Sequence, residues 1–254
     1  MQKEIAQHLE QVERQHNVKI LYACESGSRG WGFASPDSDY DLRFIYQQPL
    51  DHYLKIYEAT ENLDLAINGD LDSNGWDLRK TLRLIARSNA TPLEWLQSPV
   101  VYRETPGFKE ALWPLCAQYF DARTSIHHYL GIAKGAMEAL GADGSLKIKK
   151  LFYILRPLLA AQWCATRKTI APMDIGTLSQ LLPRSLQHTV KDLIAQKALA
   201  PEGAVIHVDE ALHAWINAVT DSCIAEARTL KTEARPVASL DLFFKKMIYD
   251  DDDR

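Results

Sequence analysis

Residues 25–42 read Glu25-Ser-Gly-Ser-Arg-Gly-Trp-Gly-Phe-Ala-Ser-Pro-Asp-Ser-Asp-Tyr-Asp-Leu42. The run that enters this stretch, Ile20-Leu21-Tyr22-Ala23-Cys24, is apolar and short and reads as a strand. Gly27-Ser28 breaks it, Pro36-Asp37-Ser38 forms a second turn, and Tyr40 to Tyr46 resumes as a strand. Successive strand side chains point to opposite faces, so Asp39 and Asp41 share one face while Tyr40 and Leu42 take the other. Two like charges held together call for a cation, and oxygen ligands suit a hard divalent ion such as magnesium. A glycine at position 27 lets backbone N–H groups approach a phosphate that a β-carbon would hold off, and the Ser28 hydroxyl adds a donor. Phosphoryl transfer needs this combination, because the ions bridge the phosphates and neutralise charge that develops during the reaction. The stretch is not a Walker loop: no Gly-Lys-Ser/Thr follows, and no longer glycine-rich loop opens a helix. A lone Asp-x-Asp is ordinarily a solvated hairpin; its coupling to Gly27-Ser28 between two strands is what favours a nucleotide site.

Gly-Ser, about ten residues, then Asp-x-Asp on a strand resembles the signature of the DNA polymerase β-type nucleotidyltransferase superfamily. The longer string from Gly27 to Tyr46 is similar to one branch of it, the bacterial predicted nucleotidyltransferases associated with RNA repair. Trp76-Asp-Leu-Arg-Lys80 continuing to Leu93-Glu-Trp-Leu96, and Lys149-Lys-Leu-Phe-Tyr-Ile-Leu-Arg-Pro-Leu-Leu159, fit the same branch. The resemblance runs roughly from Ile20 to Trp163; its first motif is specific, the later two only in combination. It implies a third carboxylate from a neighbouring strand. Asp72 is the favoured residue because it precedes Ser73-Asn-Gly75, read here as a turn into a helix; Asp70 is the reserve and Asp64 the weaker alternative. The three acids would hold two magnesium ions, or manganese in their place, and the third would also serve as general base.

Composition bounds the rest. The 254 residues, 46% of them apolar, suffice for one large or two small domains with a real core. Cys24, Cys116, Cys164 and Cys223 are far apart, with no CxxC pair and no zinc-type histidine spacing, so they read as reduced, mostly buried thiols of a cytosolic protein. No apolar segment is long enough to span a bilayer, and Met-Gln-Lys-Glu-Ile lacks a signal-peptide apolar region, so membrane insertion and secretion are not expected. The net charge of −4 gives no global basic field, so any polynucleotide must meet a local patch. The run Asp250–Asp253 reads as a disordered acidic end.

Along the chain, Glu4 to Gln15 is an amphipathic helix with Ile5, Leu9 and Val12 on one face. Strands are expected at Ile20–Cys24, Asp41–Tyr46 and Asn62–Ile67, with a further acidic strand near Asp70–Asp72. A helix begins near Trp76 with Asn74 as N-cap and Asp77 three residues on. It carries Arg79, Arg83 and Arg87 at four-residue steps; a solvated basic face is the plain reading, a triphosphate or RNA-backbone surface the functional one. Thr91-Pro92 opens a short helix, Leu93–Leu96. Proline and glycine at Glu104-Thr-Pro-Gly107 mark a domain boundary, giving a catalytic domain over 1–105 and a helical domain over 106–254. In the second, helices are expected at Phe108–Phe120, Ala122–Leu140, Ser145–Thr166, Ile175–Ala198 with an interruption at Pro183, and Glu210–Leu230. Gly141-Ala-Asp-Gly144 is a breaker, with Ser145 as the following cap.

Lys149, Tyr153 and Arg156, with Lys150 adjacent, make a cationic and phenolic stripe beside an apolar one. A water-exposed helix face explains it without function. In polymerase β-like enzymes the helical domain closes over the nucleotide, and by that resemblance the stripe contacts the triphosphate and base. Arg29, inside the motif, reads as a phosphate or motif-organising contact, and Arg43 as an ordinary surface charge.

The expectation is an α+β protein with an N-terminal mixed sheet of nucleotidyltransferase type, a C-terminal helical domain, and an active site in the cleft between them. Asp39, Asp41 and Asp72 bind metal; Gly27, Ser28, Arg29, Lys149, Lys150, Tyr153 and Arg156 bind the NTP. The reaction would move NMP to an acceptor hydroxyl, an RNA end being the acceptor the resemblance suggests. Nucleotidylation of a protein or small molecule uses the same triad, and a non-catalytic NTP-binding regulator keeps the same fold; both remain open alternatives.

Overall fold

The computed structural model describes residues 1–57, 60–65, 69–141, 143–201, 203–233 and 235–252. The chain groups into two compact units: Met1–Gly27, Asp39–Tyr119 and the C-terminal helix in the first, Ser28–Ser38 and Phe120–Glu233 in the second.

The first unit is a mixed sheet with flanking helices. Its elements are α1 (Gln2–His16), β1 (Lys19–Glu25), the start of α2 (Gly27–Trp31), β2 (Tyr40–Gln47), α3 (Leu50–Tyr53), β3 (Asn62–Asp64), β4 (Leu71–Asp77), α4 (Leu78–Ala86), α5 (Ala90–Trp95), β5 (Val101–Glu104) and α6 (Phe108–Tyr119). Among the described residues a five-stranded sheet runs β3-β4-β2-β1-β5. β1 is antiparallel to β2 and β5, β3 is antiparallel to β4, and β2 runs parallel to β4. β1 is buried from Ile20 to Glu25, as its unbroken apolar run requires of a central strand. Ile5, Leu9 and Val12 of α1 pack on Ile20, Ala23, Leu42, Phe44, Tyr46 and Leu71, so a single stripe of α1 covers the sheet.

Three local expectations are corrected here. Ser73-Asn74-Gly75 is not a turn: β4 runs through it to Asp77, parallel to β2. Gly75 is there for space, because it lies opposite Phe44 and a β-carbon on it would come within 2.1 Å of the Phe44 ring. Asn74 is therefore not the cap of α4; Asp77 is, accepting from the Arg79 N–H at 2.7 Å. Of the expected strand Asn62–Ile67, Asn62–Asp64 is strand, Leu65 is not, and Ala66 and Ile67 lie outside the described residues.

The second unit comprises α7 (Ala122–Met137), β6 (Ser145–Lys147), α8 (Ile148–Arg167), α9 (Ile175–Leu178), a 3₁₀ turn (Ser179–Leu181), α10 (Arg184–Leu199), β7 (Val205–His207) and α11 (Glu210–Thr229). Ser145 does not cap a helix: Ser145–Lys147 pairs antiparallel with Val205–His207, and α8 starts only at Ile148. The breaker before it includes Ala142, which lies outside the described residues. α8 is the axis of this unit, packing on α7 and α11.

α12 (Ala238–Asp252) returns to the first unit, where Phe243 packs on Phe108 and Phe244 on Tyr53. The acidic run falls on the end of this helix, and Asp253 lies outside the described residues. No helix among the described residues is long and apolar enough to cross a membrane. All four cysteines are free and buried.

Candidate functional site

Asp41 is anchored through its backbone. Its N–H donates to Glu25 Oε1 at 2.7 Å and its carbonyl accepts from the Ser26 N–H at 2.8 Å, which ties the start of β2 to the end of β1. Glu25 is itself buried, and the Tyr102 hydroxyl donates to its other oxygen. The chain then turns at Gly27, where φ is +54°, a conformation costly for any residue with a β-carbon. A β-carbon built there would stand 1.8 Å from Asp41 Oδ2. Gly27 and the carboxylate are thus in direct apposition.

The parallel register of β2 and β4 sets Asp72 opposite Asp41. Arg43, two residues along β2 and on the same face, joins them: its Nη2 donates to Asp41 Oδ1 at 2.9 Å and to Asp72 Oδ2 at 2.7 Å. Asp39 immediately precedes β2 and is exposed. The other two acids weighed for the third position are both exposed. Asp70 is exposed in the turn before β4, and its carbonyl accepts from Tyr40 N–H at 2.7 Å. Asp64 is exposed on the edge strand β3, where the Asn74 amide donates to it. Among the described residues no group of three or more His, Cys, Asp or Glu is gathered closely enough to hold a metal ion. The pair Asp41 and Asp72 nevertheless suits a hard divalent cation: both are oxygen donors, they converge on one cationic group already, and one faces a residue with no side chain.

The segment after Gly27 is fastened within the second unit. Ser28 is buried, and its carbonyl accepts from Gly32 and Phe33 N–H groups at 3.1 and 3.0 Å. Arg29 Nη2 donates to the Ser38 carbonyl at 2.7 Å, closing the loop on itself. The Ser35 and Ser38 hydroxyls lie 2.9 Å apart, and Lys197 Nζ donates to Ser35 Oγ at 3.2 Å. Phe33 stacks on Phe152, centroids 4.9 Å apart.

On α8, Arg156 is buried, donates Nε to the Met173 carbonyl at 3.0 Å and lies 4.5 Å from the Trp31 ring centre. Tyr153 meets the same Trp31 edge-on at 5.4 Å. Lys149 is half-buried and Lys150 exposed. The arginine row of α4 disperses: Arg79 lies 4.6 Å over Tyr53, Arg83 pairs with Glu61 at 2.9 Å, and Arg87 ends the helix.

Three residues beyond those expected from the sequence hold these segments in place, Glu25 and Arg43 in the first unit and Lys197 in the second. Glu25 is a carboxylate at the end of an otherwise apolar buried strand, a signal visible in the sequence. Lys197 is a buried lysine on a helix with no other mark. Arg43 is not a surface charge: its side chain is 19% exposed and carries four donor contacts.

A mixed sheet that sets a Gly-Ser bend against acid-bearing neighbouring strands, with a helical unit after it, is the architecture of a DNA polymerase β-like nucleotidyltransferase. The model of the RNA repair pathway DNA polymerase beta family matches residues 1–246, and the chain belongs to that family. A Bacillus subtilis (strain 168) relative, described as the uncharacterized protein YcgL, is 37% identical over 241 residues, covering 94% of this chain and 93% of its own.

Proposed function

We propose that this protein transfers a nucleoside monophosphate from a magnesium-bound NTP to the hydroxyl of an RNA end, with release of pyrophosphate. The observation that carries the reading is the apposition of Gly27 and Asp41, where only a residue without a β-carbon fits against the carboxylate. The description of the family as an RNA repair family supports RNA as the acceptor.

Asp39, Asp41 and Asp72 are the proposed metal ligands, and Gly27, Ser28 and Arg29 the proposed hold on the β- and γ-phosphates. Magnesium, or manganese with the same preference for oxygen, supplies neutralising charge on the phosphates and favours the ionised acceptor hydroxyl. Lys149, Lys150 and Tyr153 are assigned to nucleotide contacts, and Arg156 to holding Trp31 in place within the motif. In the transfer the acceptor oxygen bonds to the α-phosphorus, the α–β bridging bond breaks, pyrophosphate leaves with the electron pair, and the hydroxyl proton passes to Asp72.

Incubation with each α-labelled NTP, magnesium and an RNA oligonucleotide will move label to the RNA, and Asp41→Asn will lower the rate by about a thousandfold. Label recovered on protein or a small molecule would overturn the acceptor. Tight nucleotide binding without pyrophosphate release would overturn the transferase reading itself.

A further inference from the structure

Two carboxylates set opposite each other on adjacent parallel strands repel, and in this sheet the charge between them is answered by the protein itself. Arg43 sends one nitrogen, Nη2, to one oxygen of each acid, Asp41 Oδ1 and Asp72 Oδ2. The other nitrogen, Nη1, donates to the Asp72 and Leu42 carbonyls, both at 3.0 Å, so the guanidinium is fixed to the backbone of both strands. These contacts use Asp41 Oδ1 and Asp72 Oδ2, and the other oxygen of Asp41, Oδ2, is the atom facing Gly27. A lysine has no planar fork with which to bridge two acids and two carbonyls at once.

We infer that Arg43 is a positioning residue for the acidic pair: it takes one oxygen of Asp41 and one of Asp72 and holds the two acids in register across β2 and β4, in the arrangement in which they bind a divalent ion. This rests on the proposed function in identifying Asp41 and Asp72 as metal ligands. Arg43 acts through the acids and touches no substrate.

The test is thermal unfolding of the full chain in EDTA and in Mn²⁺ alone, for wild type, Arg43→Gln, Arg43→Lys, Asp72→Asn and the Arg43→Gln/Asp72→Asn pair. Removing the guanidinium exposes the repulsion, so Arg43→Gln will melt lower than wild type by roughly 5 °C in EDTA. Mn²⁺ will raise its midpoint more than it raises that of wild type, because the ion takes over the missing charge. Asp72→Asn in the Arg43→Gln background will restore most of the loss, a coupling that a merely structural arginine does not produce. Arg43→Lys will recover part of it. A deficit of the same size in EDTA, in Mn²⁺ and in the Asp72→Asn background overturns the inference. Restoration by Asp72→Asn with no response of any variant to Mn²⁺ upholds the arginine's hold on the pair and sinks the metal-dependent function instead.

Discussion

Two glycines show how much a single missing β-carbon decides. Gly75 faces Phe44 across parallel strands, and a methyl at that position would meet the ring at 2.1 Å. Gly75→Ala will therefore cost stability, about 1–3 kcal/mol by overpacking, measured as a shift in the urea midpoint with little change in nucleotide affinity. Gly27→Ala meets Asp41 Oδ2 at 1.8 Å in a backbone conformation of φ +54°, so both the bend and the carboxylate must move. Its effect will fall on function: NTP binding by calorimetry will drop by at least roughly tenfold, for a stability loss of about 1–3 kcal/mol. If the two variants behaved alike in both assays, the distinction between a packing glycine and a site glycine would fail. The two were unequally legible. Gly27 stood beside a serine after an apolar strand and announced a bend; Gly75 stood in Ser-Asn-Gly, a string with turn chemistry, and its true partner was a ring 31 positions away in a strand pairing no local pattern records. Arg43 was obscured for the same reason, since the acid across the sheet from it is non-local.

At the scale of elements, the boundary between β4 and α4 is held by one buried carboxylate. Asp77 accepts the Arg79 N–H at 2.7 Å and the Tyr53 hydroxyl at 2.8 Å, while its carbonyl accepts from Thr81 Oγ1 at 3.0 Å. Burial pushes its carboxyl above the ordinary aspartate value of 3.8, and the two hydrogen bonds only partly offset this. The native state thus keeps a proton that the unfolded chain has already lost, and this group's contribution to stability falls as pH rises from 3.8 through the raised value. Asp77→Asn removes the titration and keeps an oxygen for the Arg79 N–H. The wild-type-minus-variant stability difference, from urea unfolding at stepped pH, will decline as pH rises through that window. Asp77→Ala will lie about 1–2 kcal/mol below Asp77→Asn at every pH for want of a cap. A difference that rises with pH would contradict the burial argument. Element types were legible where periodicity ran long, as in α1, α8 and α11. The short strands β5, β6 and β7 were not, because three or four residues carry no usable period and exist only through their partners.

On the scale of the whole molecule, the signature is divided between two units: Gly27, Asp39 and Asp41 belong to the sheet unit, and Ser28–Ser38 to the helical one. The chemistry of the motif was readable from residue types and spacing, whereas this division is a property of the folded chain, set by where Phe33 and Ser35 find partners. Phe33 is 2% exposed, stacked on Phe152 of α8, with Lys197 Nζ of α10 at 5.7 Å from its ring. Phe33→Ala removes that ring from the helical unit and will cost it about 3–5 kcal/mol. Hydrogen exchange will read the loss locally: amides of α8 and α10 will exchange faster, while those of β1, β2 and β4 keep their protection. Label transfer will fall in the same variant although every acid is retained, because Ser28 and Arg29 lie in the loosened segment. Equal loss of protection in the sheet strands would mean that the two units open as one cooperative body, and the motif would then owe its order to the sheet as much as to α8.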